Sequence, residues 1–348
     1  MQYIELFSDT QTRPTAAMRA AMAAAEVGDE QRMRDPTVNR LRERICTLLG
    51  KDDAVFLPSG TMCNEIALAV HCRPGDEVIC DATAHVVHFE GGGPAALAGV
   101  MARSVHGERG VFGPEAVRGA FRGDNRYAPR SRVVVVEQTA NMGGGTVWPL
   151  ATIESVAAAA RECGLVMHLD GARLMNAVVA TGVAAARYCA PFDSVWIDFT
   201  KGLGAPVGAV LAGDAAFIRE AWRIKQRWGG AMRQAGILAA AALHALDHHV
   251  ERLADDHVNA RRLAEGLAAL PGIAIDPGSV ETNIVIFDVA GTSMTAAAFV
   301  AALESCAVGM VATGPGTVRA VTHLDVSADD IEEALRRVGA ALVQQARP

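Results

Sequence analysis

The feature that most constrains the fold of this chain is an apolar run at residues 132–136, Arg132-Val133-Val134-Val135-Val136. Four successive β-branched valines predict a strand that is buried on both faces, as in the interior of a parallel sheet. Other short apolar runs alternate with segments of helical composition along much of the chain. This alternation predicts an α/β fold with a mostly parallel sheet that helices cover on both sides.

The order of expected strands and helices predicts two domains. Strands are expected at residues 55–57, 77–80, 99–102, 132–136, 165–169 and 195–197, and helices at about 60–71 and 150–161. A long helical region then follows at about 215–269, with strands at 273–275, 283–287 and 317–322 and helices at 296–303 and 329–344. We therefore expect an N-terminal segment and large domain over residues 1–247, and a small C-terminal α+β domain over residues 248–348.

Three chemically capable side chains follow expected strands at one edge of the sheet. Glu137 follows the valine run, Asp170 ends the next strand, and Lys201 lies in a loop of small residues, Lys201-Gly-Leu-Gly-Ala-Pro206. Ligands of such sheets gather where the strands end. A lysine amine forms a Schiff base with pyridoxal phosphate (PLP), and a buried aspartate keeps the pyridine nitrogen of PLP protonated. The alternative is that Lys201 is an ordinary surface residue, but small and apolar residues surround it on both sides.

Composition excludes several other classes of protein. The net charge is −7 with no basic block, so a nucleic-acid partner is not expected. The N-terminus lacks the basic start and apolar core of a signal peptide, and no apolar run is long enough for a membrane span. The 7 cysteines are scattered without a Cys-x-x-Cys pair, which predicts reduced thiols in a cytoplasmic protein and no metal cluster.

The order and spacing of several motifs carry a family resemblance over more than 300 residues. These motifs include Ser8-Asp-Thr, Asp35-Pro-Thr, Ser59-Gly60-Thr61, Phe89-Glu-Gly-Gly-Gly93, Asp170-Gly-Ala-Arg173, Lys201-Gly-Leu-Gly, Gly229-Gly-Ala-Met-Arg233 and Arg319-Ala-Val-Thr. Together they resemble the low-specificity L-threonine aldolases. The resemblance implies PLP as cofactor and the fold type I, aspartate-aminotransferase-like class of PLP enzymes. It also implies a homotetramer, a dimer of dimers, with sites shared between subunits.

The motif at residues 59–61 predicts a contact to the cofactor phosphate, and the resemblance implies the other cofactor contacts. Ser59, Gly60 and Thr61 stand between a strand and a helix, where backbone N–H groups and the helix dipole can hold a phosphate. A plain helix cap is the alternative for Ser59. The resemblance implies that His85 stacks on the cofactor ring. It also places Arg233 on the phosphate side or at a subunit interface.

The substrate contacts rest on the resemblance. It implies that Arg173, Arg319 and Ser8 hold the carboxylate of an amino-acid substrate, which suits the paired donors of a guanidinium. Surface positions are the alternative for both arginines. Cleavage of L-threonine, L-allo-threonine or a related β-hydroxy-α-amino acid to glycine and an aldehyde is then expected, with Lys201 and His85 as the catalytic groups.

Two positions depart from the family pattern. Alanine stands at position 140, where the family commonly has a histidine near the substrate, and Arg32 stands where it usually has tyrosine. We expect Ala140 to open space for a bulkier β-substituent and Arg32 to alter the side-chain pocket. The alternatives are a PLP-dependent lyase, transaldolase or racemase of the same fold, or a binding protein without activity.

Overall fold

The computed structural model describes residues 2–345. Its strands are β1 (Ile4–Glu5), β2 (Asp53–Leu57), β3 (Asp76–Asp81), β4 (Met101–Val105), β5 (Arg130–Glu137), β6 (Val166–Gly171), β7 (Ser194–Asp198), β8 (Ala209–Gly213), β9 (Ile284–Asp288), β10 (Val308–Gly309), β11 (Val311–Ala312) and β12 (Thr317–Val321). Residues 346–348, the end of the expected small domain, lie outside the described part.

The helices surround these strands. They are α1 (Ala16–Ala23), α2 (Pro36–Leu49), α3 (Gly60–His71), α4 (His85–His88), α5 (Pro114–Ala120), α6 (Leu150–Glu162), α7 (Leu174–Thr181), α8 (Ala185–Cys189), α9 (Ala215–Arg227), α10 (Gly236–His248), α11 (Leu253–Ala268), α12 (Ala296–Ser305) and α13 (Ala328–Gln345). No helix within residues 2–345 is long and apolar enough to cross a membrane.

The central sheet has seven strands in the order β2-β8-β7-β6-β5-β3-β4. Its neighbours pair in parallel, except that β8 runs antiparallel to both β2 and β7. The four valines of β5 are buried, as a strand covered on both faces requires. The expected α/β class with a mostly parallel sheet is therefore confirmed.

A second apolar core lies in the C-terminal part. It contains β9, β12, α12 and α13, and also Ile4 and Leu6 from the N-terminus. The strand β1 pairs with β10, so the first residues of the chain join the C-terminal unit. The boundary near residue 248 stays a prediction.

The helical region expected at 215–269 is present as three separate helices, and Gly229, with φ of +75°, lies in the first break. Two other local expectations were wrong. Residues 273–275 form one bridge, Ala274 with Asp288, and no strand. The strand expected at 99–102 begins at Met101, because Gly99 has φ of +66° and ends the preceding helical turn.

Candidate active site

A cleft of about 440 Å³ lies at the edge of the sheet where β5, β6 and β7 end. Its walls come from the N-terminal segment, the central sheet and the C-terminal unit. It is lined by Phe7, Ser8, Thr10, His85, Phe89, Glu137, Asn141, Met142, Ala172, Arg173, Lys201, Val311, Ala312, Thr313 and Arg319. The cleft thus contains six of the side chains that the sequence singled out: Ser8, His85, Glu137, Arg173, Lys201 and Arg319.

Lys201 projects into this cleft from the loop after β7. Its Nζ lies 2.8 Å from Oδ2 of Asp198 and 5.7 Å from the ring centroid of Trp196. The loop is tied to the N-terminal segment because the Thr12 hydroxyl donates to the Lys201 carbonyl oxygen at 2.9 Å. The side chain is only 15% exposed, so the amine is held in the cleft rather than in solvent.

Asp170 lies at the end of β6 and is fully buried. Its carboxylate accepts from Asn64 Nδ2 at 2.8 Å and from the backbone N–H of Ala172 at 3.1 Å. Burial raises the pKa of Asp170, against opposing effects of His85, Asn64 and Lys201. A buried carboxyl of this kind is best stabilised as an anion by a cation placed against it.

The start of α3 is built from the Ser59-Gly60-Thr61 motif. The Ser59 hydroxyl accepts from the backbone N–H of Met62 at 3.2 Å, so Ser59 forms the helix cap that was the alternative to a phosphate contact. The N–H groups of the first helical residues have no acceptor within the helix. A Cβ at Gly60 would lie 2.2 Å from the ring of Trp196, so only glycine lets the helix start so close to β7. Asn64, one turn further on, contacts Asp170, which places this helix start near that carboxyl.

Arg173 forms a buried ion pair that the sequence did not predict. Its Nε and Nη2 donate to the two carboxylate oxygens of Asp9, each at 2.7 Å. Asn283 donates to the same Asp9 at 3.0 Å. Burial raises the pKa of Asp9, but the charge and hydrogen bonds of Arg173 outweigh burial and lower it to about 2. Asp9 occupies only two of the five N–H donors of Arg173, so the others remain for a ligand.

Arg319 is the second guanidinium of the cleft. It donates to Asn141 Oδ1 at 2.9 Å and to the Phe7 carbonyl at 3.3 Å, and its buried Nε has no partner among the described residues. Burial and the charge of Arg173 lower the pKa of Arg319 to about 10. With one carboxylate for two guanidiniums, this end of the cleft has an excess positive charge that suits an anionic ligand.

His85 also lines the cleft. Its Nδ1 lies 2.9 Å from Glu90 Oε1, and its backbone N–H donates to Glu137 Oε2 at 2.8 Å. Burial lowers the pKa of His85, but the hydrogen bond to Glu90 and the charges of Asp170, Glu90 and Glu137 outweigh burial and raise it. Nδ1 is occupied by Glu90, so Nε2 is the ring nitrogen left for the cleft.

Glu137 organises the end of β5. Its two oxygens accept from the backbone N–H groups of His85 and Asn141, each at 2.8 Å. Burial and the charge of Asp170 raise the pKa of Glu137 to about 7. Glu137 thus fixes the two segments that carry His85 and Asn141 at the rim of the cleft.

Two of the singled-out arginines lie outside this cleft. Arg233 is 62% exposed and pairs with Asp29 at 3.1 Å. Arg32 is exposed in a short turn, Glu30–Arg32. Neither lines the cleft of its own chain.

Ala140 does not line the cleft either, although its neighbours Asn141 and Met142 do. It is buried, and its Cβ would lie 2.8 Å from a Cβ at Gly110 and 3.1 Å from one at Gly143. The structure therefore does not support the expectation that Ala140 enlarges the substrate pocket.

Several contributors to the site carried no separate signal in the sequence. Asp9 and Asn64 meet Arg173 and Asp170 only when distant segments come together. Glu90 and Asp198 lie 5 and 3 positions along the chain from their partners His85 and Lys201. Asp9 and Glu90 stand inside the Ser8-Asp-Thr and Phe89-Glu-Gly motifs, so the motifs marked their segments but not their roles.

The chain is similar to known proteins over most of its length. Residues 5–292 match the family model described as beta-eliminating lyase. The chain is 38% identical over 353 residues to the low-specificity L-threonine aldolase 1 of Arabidopsis thaliana, covering 100% of this chain and 99% of that protein. It is 39% identical over 331 residues to the low specificity L-threonine aldolase of Escherichia coli strain K12, covering 95% and 96%.

Solved structures show the same fold. A threonine aldolase of Leishmania major superposes with a TM-score of 0.83 at 20% identity, covering 97% of this chain and 99% of that one. The aspartate aminotransferase of Rhizobium meliloti superposes with a TM-score of 0.71 at 16% identity, covering 98% and 92%. The expected fold type I architecture is confirmed.

Proposed function

The chain belongs to the beta-eliminating lyase family, and from this premise we propose that it is a PLP-dependent aldolase. It cleaves L-threonine, L-allo-threonine or a related β-hydroxy-α-amino acid to glycine and an aldehyde. The observation that carries the proposal is the presence, in one cleft, of a largely buried lysine amine and two arginines, of which Arg173 pairs with a carboxylate and Arg319 does not. The amine suits a cofactor aldehyde, and the excess positive charge suits the carboxylate of an amino acid.

The residues around Lys201 fit PLP. Lys201 would hold its aldehyde carbon, Asp170 its pyridine nitrogen, His85 the face of its ring, and the N–H groups at the start of α3 its phosphate. The fully buried carboxyl of Asp170, which favours a cationic partner, supports this assignment. When bound, PLP supplies an electron sink for the electron pair of the breaking Cα–Cβ bond.

The arginine pair orients the substrate. Arg173 and Arg319, with the hydroxyl of Ser8, hold the substrate carboxylate at one end of the cleft. Asp9 keeps the Arg173 guanidinium in place through two hydrogen bonds, so the site does not reorganise when the ligand binds. Fixing the carboxylate and the amine together determines which bond at Cα is aligned for cleavage.

His85 is the proposed acceptor of the β-hydroxyl proton. Its Nε2 is free because Nδ1 is engaged by Glu90. Both Glu137 oxygens already accept backbone N–H groups, which makes Glu137 a poorer base than the imidazole.

We further propose that the active form is a homotetramer in the cytoplasm. The exposed position of Arg233, outside the cleft of its own chain, supports a role at the cofactor phosphate of a neighbouring subunit. All seven cysteines are free thiols, which supports a reducing compartment. Light scattering of the purified protein tests the assembly, and a monomer with full activity would contradict it.

The experiment that tests the activity combines absorbance and product analysis. The purified protein should show the visible absorbance band of lysine-linked PLP, which Lys201→Ala should abolish and the control Lys51→Ala should retain. Incubation with L-threonine should release glycine and acetaldehyde. Release of an α-keto acid and ammonia without glycine would indicate β-elimination instead, and a protein without the band would refute the proposal.

A further inference from the structure

Two buried carboxyl groups, neither of which lines the cleft, form a cluster with His85. Glu65 on α3 is 2% exposed, and the side chain of Glu90, just after α4, is fully buried. Glu90 Oε1 accepts from Asn64 Nδ2 at 2.7 Å and contacts His85 Nδ1 at 2.9 Å. Glu65 has no part in the function proposed above.

The hydrogen bonds of this pair are incomplete without an additional proton. Both oxygens of Glu65 and Oε2 of Glu90 are buried and have no donor among the described residues. Within residues 2–345, no lysine or arginine forms an ion pair with either carboxyl group. Two adjacent buried carboxylates cannot both be ionised, so the pair retains one proton.

The neighbouring hydrogen-bond donors determine which of the two carboxyl groups carries that proton. Glu90 has two donors, Asn64 and His85, that stabilise its anion, whereas Glu65 has none. The proton therefore belongs to Glu65, which donates it to Glu90. Burial, followed by the hydrogen bond and charge of Glu90, raises the pKa of Glu65 to about 9, in agreement with this assignment.

The glycine run after Glu90 makes room for the pair. A Cβ at Gly93 would lie 2.1 Å from Glu65 Oε1, so a larger residue there would displace the Glu65 carboxyl. Gly93 is therefore required by the close approach of its backbone to Glu65.

We propose that Glu65 is a positioning residue whose neutral carboxyl donates to Glu90, so that the Glu90 carboxylate holds the Nδ1–H of His85 and leaves Nε2 to the cleft. The inference rests on the proposed function only in that the His85 ring acts there. Other titratable groups also face this cluster. Asp170 and Glu137 approach His85 from β6 and β5, and Cys63 lies on α3.

The test compares Glu65→Gln with Glu65→Leu in the full-length holoenzyme. Glutamine offers an N–H to Glu90 but cannot ionise, whereas leucine fills similar space and offers no donor. The readout is the titration of His85 by NMR of ¹⁵N-histidine-labelled protein, with the His85 signal assigned by its loss in His85→Asn. In the parent protein the pKa of His85 should lie above the ordinary 6.5.

In Glu65→Gln, the pKa of His85 should stay as it is in the parent protein. Glu65→Leu should shift it to 6.5 or below, because Glu90, deprived of its donor, takes up a proton itself and no longer charges the imidazole. Equal titration in all three proteins would overturn the proposal, as would a glutamine variant that behaves like leucine.

A second measurement decides the question if the leucine variant does not fold. Because the folded pKa of Glu65 lies above its unfolded value, its stabilisation is fully present below about pH 4.5 and is lost as pH rises towards 9. In that window, the unfolding equilibrium constant of the parent should rise up to tenfold per pH unit relative to Glu65→Gln. If the unfolding equilibrium constants of the parent and of Glu65→Gln depended on pH in the same way, the proposal would be refuted. Neither readout requires aldol cleavage, so a failure of the proposed activity would be distinguishable.

Discussion

Replacing Asp9 with asparagine tests the buried ion pair that orients the substrate arginine. Asp9 is fully buried and binds Arg173 through both oxygens. Asparagine has nearly the same shape but lacks the charge, and its amide group would face a donor of Arg173 or of Asn283. Arg173 would then be an uncompensated buried cation beside Arg319.

The cost can be worked from the structure in two ways. The pKa of Asp9 falls from 3.8 to about 2 in the folded protein, which corresponds to about 2 kcal/mol of stability at neutral pH. Removing one partner of a buried ion pair typically costs about 3–5 kcal/mol. We therefore expect Asp9→Asn to lower the free energy of unfolding by about 3 kcal/mol at pH 7.

Urea unfolding followed by circular dichroism measures this change. The control is Asp247→Asn, which breaks an ion pair to Arg44 in which both side chains are more than half exposed, and should cost about 1 kcal/mol or less. Because the folded pKa of Asp9 is lowered, its stabilisation is fully present above about pH 4 and is lost as pH falls through about 2. The difference between parent and variant should therefore shrink in acid.

A loss at pH 7 no larger than that of the Asp247 control would refute the reasoning. So would a difference that grows as the pH falls, because the ionised form of Asp9 would then not be the stabilising one.

Two further substitutions test the cleft. Arg319→Met should lower kcat/KM for amino-acid substrates by about 10- to 100-fold, since a charged hydrogen bond contributes about 1.5–3 kcal/mol. Steady-state kinetics measure this loss of kcat/KM, with Arg187→Met as a surface control. An unchanged kcat/KM in Arg319→Met would exclude Arg319 from carboxylate binding. Ala140→His should destabilise the protein by about 1–3 kcal/mol, because Gly110 and Gly143 already abut Ala140. Thermal unfolding of Ala140→His, with Ala140→Ser as the control, measures this loss of stability. A fully stable Ala140→His variant with a changed rate on threonine would show that position 140 does face the substrate.

Much of the fold followed from sequence patterns. The valines of β5 and the alternation of strands with helices predicted the parallel sheet, since burial on both faces requires an unbroken apolar strand. The strand β8 was not predicted, because Ala209–Gly213 is a short apolar run without a period that distinguishes a strand from a helix. The long helical region was predicted without its division into three helices, because a glycine pair permits a break but does not require one.

The site could be predicted only as a set of residue types. Small residues around Lys201, and the placement of Asp170 after a strand, identified the two groups that a PLP enzyme needs. Motif order added His85, Ser8, Arg173 and Arg319, all of which line the cleft. Composition and spacing determine which chemistry is available, because they fix side-chain identity and the ends of strands.

Only the tertiary structure decided how these groups are charged and held. Asp9 lies 164 positions from Arg173, and Asn64 lies 106 positions from Asp170, so neither contact could be read from local sequence. The structure also placed Ala140 beside the cleft instead of in it, and set Glu65 against Glu90. Protonation and orientation depend on burial and on distances of a few ångströms, and folding alone brings these distant segments together.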